Sequence, residues 1–156
     1  MENIEKNEIS GLGNTACETV LPAVPLQPLK EIERSIQKKY RSELWSPFIR
    51  ALKEFELVEE GDRIAIAISG GKDSLLLSKL FQELKRASKT NFELVFISMN
   101  PGFNNINLQN LKKNLDYLEI PCEIYNDNIF EIAEQIAKDY PCYMCAKMRR
   151  GSLYTK

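Results

Sequence analysis

The sequence predicts an α/β fold built on a parallel sheet, and three observations carry that expectation. Apolar runs at 63–68 (RIAIAI), 92–99 (FELVFISM) and 121–126 (PCEIYN) are short and rich in branched and aromatic residues, as strands of a parallel sheet are. Stretches with apolar residues at helical spacing lie between and after these runs, which gives the order βαβαβα. The first run passes straight into glycines, the punctuation of a strand that turns into a helix. Such an order implies right-handed crossovers with helices flanking the sheet.

Taken in chain order, residues 1–29 contain Pro22, Pro25 and Pro28, scattered glycines and no apolar period, and read as a flexible tail. Residues 30–58 form a helical segment in which Ile32, Ile36, Tyr40 and Leu44 recur at helical spacing. Ser46 is expected to restart the helix as its N-cap, with Pro47 at the first position. Phe48, Leu52 and Phe55 continue the apolar face, and EEGD at 59–62 turns the chain into the first strand. After that strand, Leu75, Leu76, Leu77, Leu80, Phe81 and Leu84 make an apolar helix face. A second amphipathic helix is expected at 107–118 and another at 129–137, so residues 59–156 form one α/β unit.

The composition, 156 residues of which 44% are hydrophobic, suits one soluble globular domain. No apolar run approaches the ~18 residues that a membrane span needs. The start, MENIEKNEISGLGN, lacks the basic and apolar regions of a signal peptide, so a cytoplasmic protein without a membrane partner is expected. The net charge of -1 divides unevenly: residues 1–29 hold four acids and one base, residues 30–156 hold 18 acids and 20 bases. Neither part demands a nucleic-acid partner. From Tyr140 to Lys156, however, the chain has Lys147, Arg149, Arg150 and Lys156 and no acid, a stretch that could meet phosphate or simply form a solvated helix face.

The hexapeptide SGGKDS at 69–74 carries the chemistry. A glycine-rich turn leaving the carboxyl end of a strand and opening a helix aims backbone N–H groups and the positive end of the helix dipole at one spot, which favours an anion. Gly70 and Gly71 permit close backbone approach, Ser69 and Ser74 offer hydroxyls, and Lys72 offers a mobile positive charge. Asp73 would repel a phosphate unless a cation such as magnesium lay between them. The spacing fits neither a Walker loop nor a dinucleotide fingerprint, and the competing reading is an ordinary strand-to-helix turn capped by serine.

SGGKDS resembles the pyrophosphate-binding PP-loop of the ATP pyrophosphatases. The wider match, LVEEGDRIAIAISGGKDS, then PGF at 101–103, then CYMCAKMRRGSLY at 142–154, is similar to the N-terminal portion of the tRNA 2-thiocytidine synthetase branch. The resemblance implies a Rossmann-like sheet of the adenine nucleotide alpha hydrolase type. It also implies ATP and Mg2+ at Ser69, Gly70, Gly71, Lys72, Asp73 and Ser74, with Lys72 and Asp73 in the catalytic role. The reaction implied is adenylation of the C2 oxygen of a cytidine in tRNA, followed by displacement of AMP by sulfur from a donor. Cys142 and Cys145 match two of three ligands of a [4Fe–4S] cluster, and Lys147, Arg149 and Arg150 are candidates for contacting tRNA.

From spacing alone, Cys142 and Cys145 could equally be a redox pair, half a zinc site or part of a cluster site. Cys122 reads as a small core residue, and Cys17 lies in the tail. Family members continue with further strands, a histidine-containing motif and a third cluster cysteine, whereas these 156 residues contain no histidine. An incomplete sheet is therefore expected, completed by a downstream fragment or masked in a homodimer. Two other functions stay open: a nucleotide- or metal-binding remnant without turnover, and adenylation with a non-sulfur nucleophile, as in tRNA lysidine synthetase.

Overall fold

The computed structural model describes residues 26–136 and 140–155. Most of the expected tail, Cys17 and Lys156 lie outside the described residues. The described chain divides into two compact units, one of residues 26–98 and 110–125, the other of residues 99–109, 126–136 and 140–155.

The first unit opens with helix α1 (Leu29–Gln37), a π-helical turn (Arg41–Trp45) and helix α2 (Ser46–Glu54). Pro47 sits in the first turn of α2 as expected, but Ser46 does not cap it. Its backbone is already helical (φ -67°, ψ -43°) and its N–H donates to the Arg41 carbonyl, because the wide turn feeds into α2 without the extended residue an N-cap needs. Strand β1 (Arg63–Ile68) leads into helix α3 (Lys72–Ala87), followed by β2 (Glu93–Asn100), helix α4 (Asn105–Tyr117) and β3 (Cys122–Asn126). The strands form a three-stranded parallel sheet in the order β1-β2-β3. β1 and β2 pair from Arg63 opposite Glu93 to Ile68 opposite Ser98.

The expected strands are all present, shifted by no more than a residue. β1 sits at the edge of the described sheet, and it alternates: Ile66 and Ile68 are buried, while Arg63, Ala65 and Ala67 are exposed. One face of this strand is thus open, unlike the two-sided burial usual for parallel strands.

Ile66, Ile68, Phe81, Phe92, Phe96, Leu111, Leu115 and Ile120 form the core, with Phe48 and Leu52 of α2 packed against it. Each fully buried side chain of this size contributes roughly 1.5–3 kcal/mol relative to exposure. Phe48 meets Phe81 edge-on at 5.2 Å, whereas Phe55, beyond the end of α2, is exposed, as is Leu77. A buried polar clamp fixes α1 to α3. Lys79, with its side chain only 3% exposed, donates to Glu33 Oε1 at 2.6 Å and to the Leu118 carbonyl at 3.0 Å. Gln37 Nε2 donates to Glu83 at 2.6 Å, and Arg86 pairs with both Glu33 and Glu83.

In the second unit the end of β2 and the PGF loop are organised by Asn100, which is 8% exposed. Its Oδ1 accepts the N–H groups of Gly102 (3.2 Å) and Phe103 (2.7 Å), and its Nδ2 donates to Asn126 Oδ1 at 2.9 Å. Gly102 has φ +110°, and Phe103 packs edge-on against Phe130 of helix α5 (Ile129–Ile136). The stretch after residue 140, unassigned by its apolar pattern, is helix α6 (Pro141–Tyr154). No described helix is long and apolar enough to cross a membrane.

Candidate functional site

The hexapeptide 69–74 occupies the carboxyl end of β1 and the first turn of α3, so the expected strand–turn–helix context is present. Gly70 takes φ +85°, a conformation in which L side chains are strained, and a Cβ there would stand 3.2 Å from Leu111 Cδ1. Gly71 is extended (φ -77°, ψ 158°) and gives its carbonyl to Leu75 N–H at 3.2 Å. The N–H groups of Lys72, Asp73 and Ser74 lie in the first helical turn and have no i−4 carbonyl to meet.

A hydroxyl network shapes the turn. Ser74 Oγ donates to the Gly71 carbonyl at 2.9 Å and accepts the Ser69 N–H at 3.3 Å. The Ser69 and Ser74 hydroxyls lie 3.2 Å apart, and Ser69 Oγ accepts the Gly71 N–H at 3.3 Å. Because Ser74 spends its proton on Gly71, the consistent arrangement has Ser69 donating to Ser74. Beneath the turn, Ser98 Oγ donates to the Ile68 carbonyl at 2.8 Å and Ser78 Oγ to the Ser74 carbonyl at 2.8 Å, both from buried positions. Lys72 Nζ and Asp73 Oδ1 pair at 2.5 Å with both side chains almost fully in solvent. A mobile cation, a carboxylate and unpaired helix N–H groups are therefore grouped at one exposed point, and this donor set suits a phosphate with a bridging cation.

The second group lies in the other unit. Cys142 and Cys145 stand one turn apart on α6, Cys142 exposed and Cys145 half-buried. Among the described residues no third Cys, His, Asp or Glu joins them in a metal-holding cluster. Cys122 behaves differently: burial, with the adjacent Glu123 charge, pushes its thiol up to about 11, so it stays protonated and packs against the core. Lys147 and Arg150 line a groove of about 430 Å³ along α6 with Tyr143, Ala146, Gly151 and Tyr154, while Arg149 does not line it. Two features that the sequence did not disclose are Asn100, a polar residue at the end of an apolar run whose role depends on its bonds to the following loop, and a groove with three bases around Trp45, formed by the π-helical turn and α2.

No family model matches the chain. It is similar to curated proteins named tRNA-cytidine(32) 2-sulfurtransferase. The protein from Acaryochloris marina is 29% identical over 136 residues, which is 86% of this chain and 46% of that protein. The one from Pelobacter propionicus is 34% identical over 107 residues, 67% of this chain and 40% of that protein. The one from Polaromonas naphthalenivorans is 31% identical over 134 residues, 83% of this chain and 41% of that protein. The chain thus spans under half the length of these relatives.

Proposed function

The chain belongs to the family of the tRNA-cytidine(32) 2-sulfurtransferases, and from that premise we propose that it carries the ATP-binding part of a tRNA-thiolating enzyme of the cytoplasm. The observation that carries this reading is the grouping of Lys72, Asp73, Ser69, Ser74 and the first-turn N–H groups of α3 on a glycine turn at the end of β1.

In this proposal the C2 oxygen of a cytidine in tRNA attacks the α-phosphorus of ATP, and the bond from that phosphorus to the bridging oxygen breaks. Pyrophosphate leaves with the electron pair. A sulfur nucleophile from a donor then attacks C2, and AMP departs. Residues 69–74 hold the β- and γ-phosphates: the N–H groups of α3 and the Lys72 ammonium meet charge as it gathers on pyrophosphate, the effect that commonly dominates such chemistry. Asp73 would hold a magnesium ion, which would neutralise phosphate charge, and the Lys72 ammonium, now paired with the Asp73 carboxylate, would serve the anion. Gly70 and Gly71 keep the approach clear of side chains.

Cys142 and Cys145 offer two thiols toward a [4Fe–4S] cluster, a set that the described residues do not complete, so no step is routed through it. Lys147, Arg149 and Arg150 supply positive charge for a tRNA backbone.

Titration of the chain with ATP or pyrophosphate in the presence of magnesium, followed by calorimetry, tests the reading. Lys72→Ala with Ser74→Ala should weaken binding by about 1.5–3 kcal/mol for each charge-assisted bond removed. Unchanged isotherms in a double variant that keeps its circular dichroism spectrum would remove the loop from the site.

A further inference from the structure

Positive charge on this chain is concentrated away from the phosphate loop. Between residues 34 and 53 there are six bases, Arg34, Lys38, Lys39, Arg41, Arg50 and Lys53, against one acid, Glu43, in a chain whose net charge is -1. Three of them surround the chain's single tryptophan. Arg41, Trp45, Ser46, Ile49, Arg50, Lys53 and Glu54 line an open groove of about 530 Å³ formed by the π-helical turn and α2, three bases against one acid.

Elsewhere in this unit Lys79, Arg86 and Arg63 are spent on carboxylates. Among the described residues no carboxylate lies within ion-pair distance of Arg41, Arg50 or Lys53. Trp45 is half-buried and rests against Phe48 at 6.0 Å, so its indole is held in place and also lines the groove. The π-helical turn that brings Arg41 and Trp45 together is of a kind that recurs at functional sites.

We infer that this groove binds single-stranded RNA, one base stacking on Trp45 while Arg41, Arg50 and Lys53 take the flanking phosphates. A fixed aromatic face beside free guanidinium and ammonium groups is how single-stranded nucleic acid is gripped without base-edge contacts. The inference rests on the proposed tRNA substrate and gives an unpaired segment of it a place on α2, distinct from the loop at 69–74 and from α6.

The single tryptophan makes the test direct. Titrating the full chain with a short oligouridylate should quench Trp45 fluorescence. Three phosphates neutralised correspond to a log–log salt slope of about -2 for single strands. Arg41→Gln, Arg50→Gln and Lys53→Gln together should reduce that slope by about 2 and lower the affinity for fluorescein-labelled oligouridylate, read by anisotropy. Trp45→Leu should lower that affinity by about tenfold, with Trp45→Phe restoring part of it.

A duplex RNA should bind more weakly than the single strand, having no base free to stack. Absence of quenching, wild-type affinity in the triple variant, wild-type affinity in Trp45→Leu protein, or duplex binding as tight as single-strand binding would each overturn the inference. Magnesium-ATP binding measured on the same preparations separates the two ideas. Loss of RNA binding with ATP binding intact in the triple variant supports the groove, and RNA quenching without any ATP binding would remove the loop reading alone.

Discussion

The turn at 69–74 and the thiol helix α6 are both candidate sites, yet they are built in opposite ways. The turn is fixed from below by Ser98 and Ser78, closed by the Ser69–Ser74 hydroxyl network and backed by the core through Leu111. Its geometry comes from four elements, β1, α3, β2 and α4. Cys142, Cys145, Lys147 and Arg150 all project from a single helix, and among the described residues no third Cys, His, Asp or Glu joins the two thiols. A site assembled from several elements is preorganised by the fold, whereas a site on one helix is a half-site.

The largest test of this contrast acts on the clamp that ties α3, the helix the turn opens, to α1. Lys79→Ala leaves Glu33 without its buried partner and should cost about 3 kcal/mol in denaturant unfolding, as breaking a buried pair does. A cost within experimental error would show that the clamp between α1 and α3 does not matter to the unit.

Next, one substitution should have opposite signs in the two regions. Gly70→Ala forces a side chain into φ +85° against Leu111 and should destabilise by about 1–2 kcal/mol. Gly151→Ala, in α6 with open space around it, should stabilise by about 0.5–1 kcal/mol through helix propensity. Equal signs in thermal melts would erase the distinction.

Acid should loosen the scaffold. Burial pushes the Glu33 carboxyl up, but its bonds with Lys79 and Arg86 outweigh that and leave it below its ordinary 4.5. A lowered folded value means that the stabilisation is fully present above 4.5 and is lost as pH falls through the folded value. Stability measured from neutral pH downward should therefore drop below about pH 4.5, less steeply in Lys79→Ala protein. A parallel decline in both would assign the acid sensitivity elsewhere.

The smallest expected effect is at the thiols: Cys142→Ser, at an exposed position, should change stability by no more than about 0.5 kcal/mol, and the half-buried Cys145→Ser by about 1 kcal/mol at most. Anaerobic reconstitution with iron and sulfide should give labile, substoichiometric absorbance. A full-occupancy cluster on the chain with Cys17 and Cys122 replaced by alanine would make α6 a complete site.

What could be read from the sequence follows the range of the interaction involved. The strands, their helical crossovers and the turn between β1 and α3 are encoded in local apolar period and glycine placement, and each lies within a residue or two of its expected position. The π-helical turn was hidden because helical apolar spacing continues through Tyr40 and Leu44 with no sign of the extra residue per turn. α6 has a mixed surface of Cys, Tyr, Arg and Gly and so shows no apolar stripe. The Lys79–Glu33 pair spans 46 positions of sequence, and no local pattern announces a lysine that will be buried.

The exposed setting of Lys72 fixes the electrical character of the turn. Its side chain and that of Asp73 are 88% and 87% open to solvent, beside an edge strand with one open face. At 4 Å a unit charge pair is worth about 1 kcal/mol in water and about 4 kcal/mol at the effective dielectric of a protein surface. Were a layer to close over β1, it would lower the local dielectric and raise the pull of the same ammonium on the same phosphate severalfold, without a new contact being made. The turn supplies the geometry of an anion site, and the dielectric around it sets the strength.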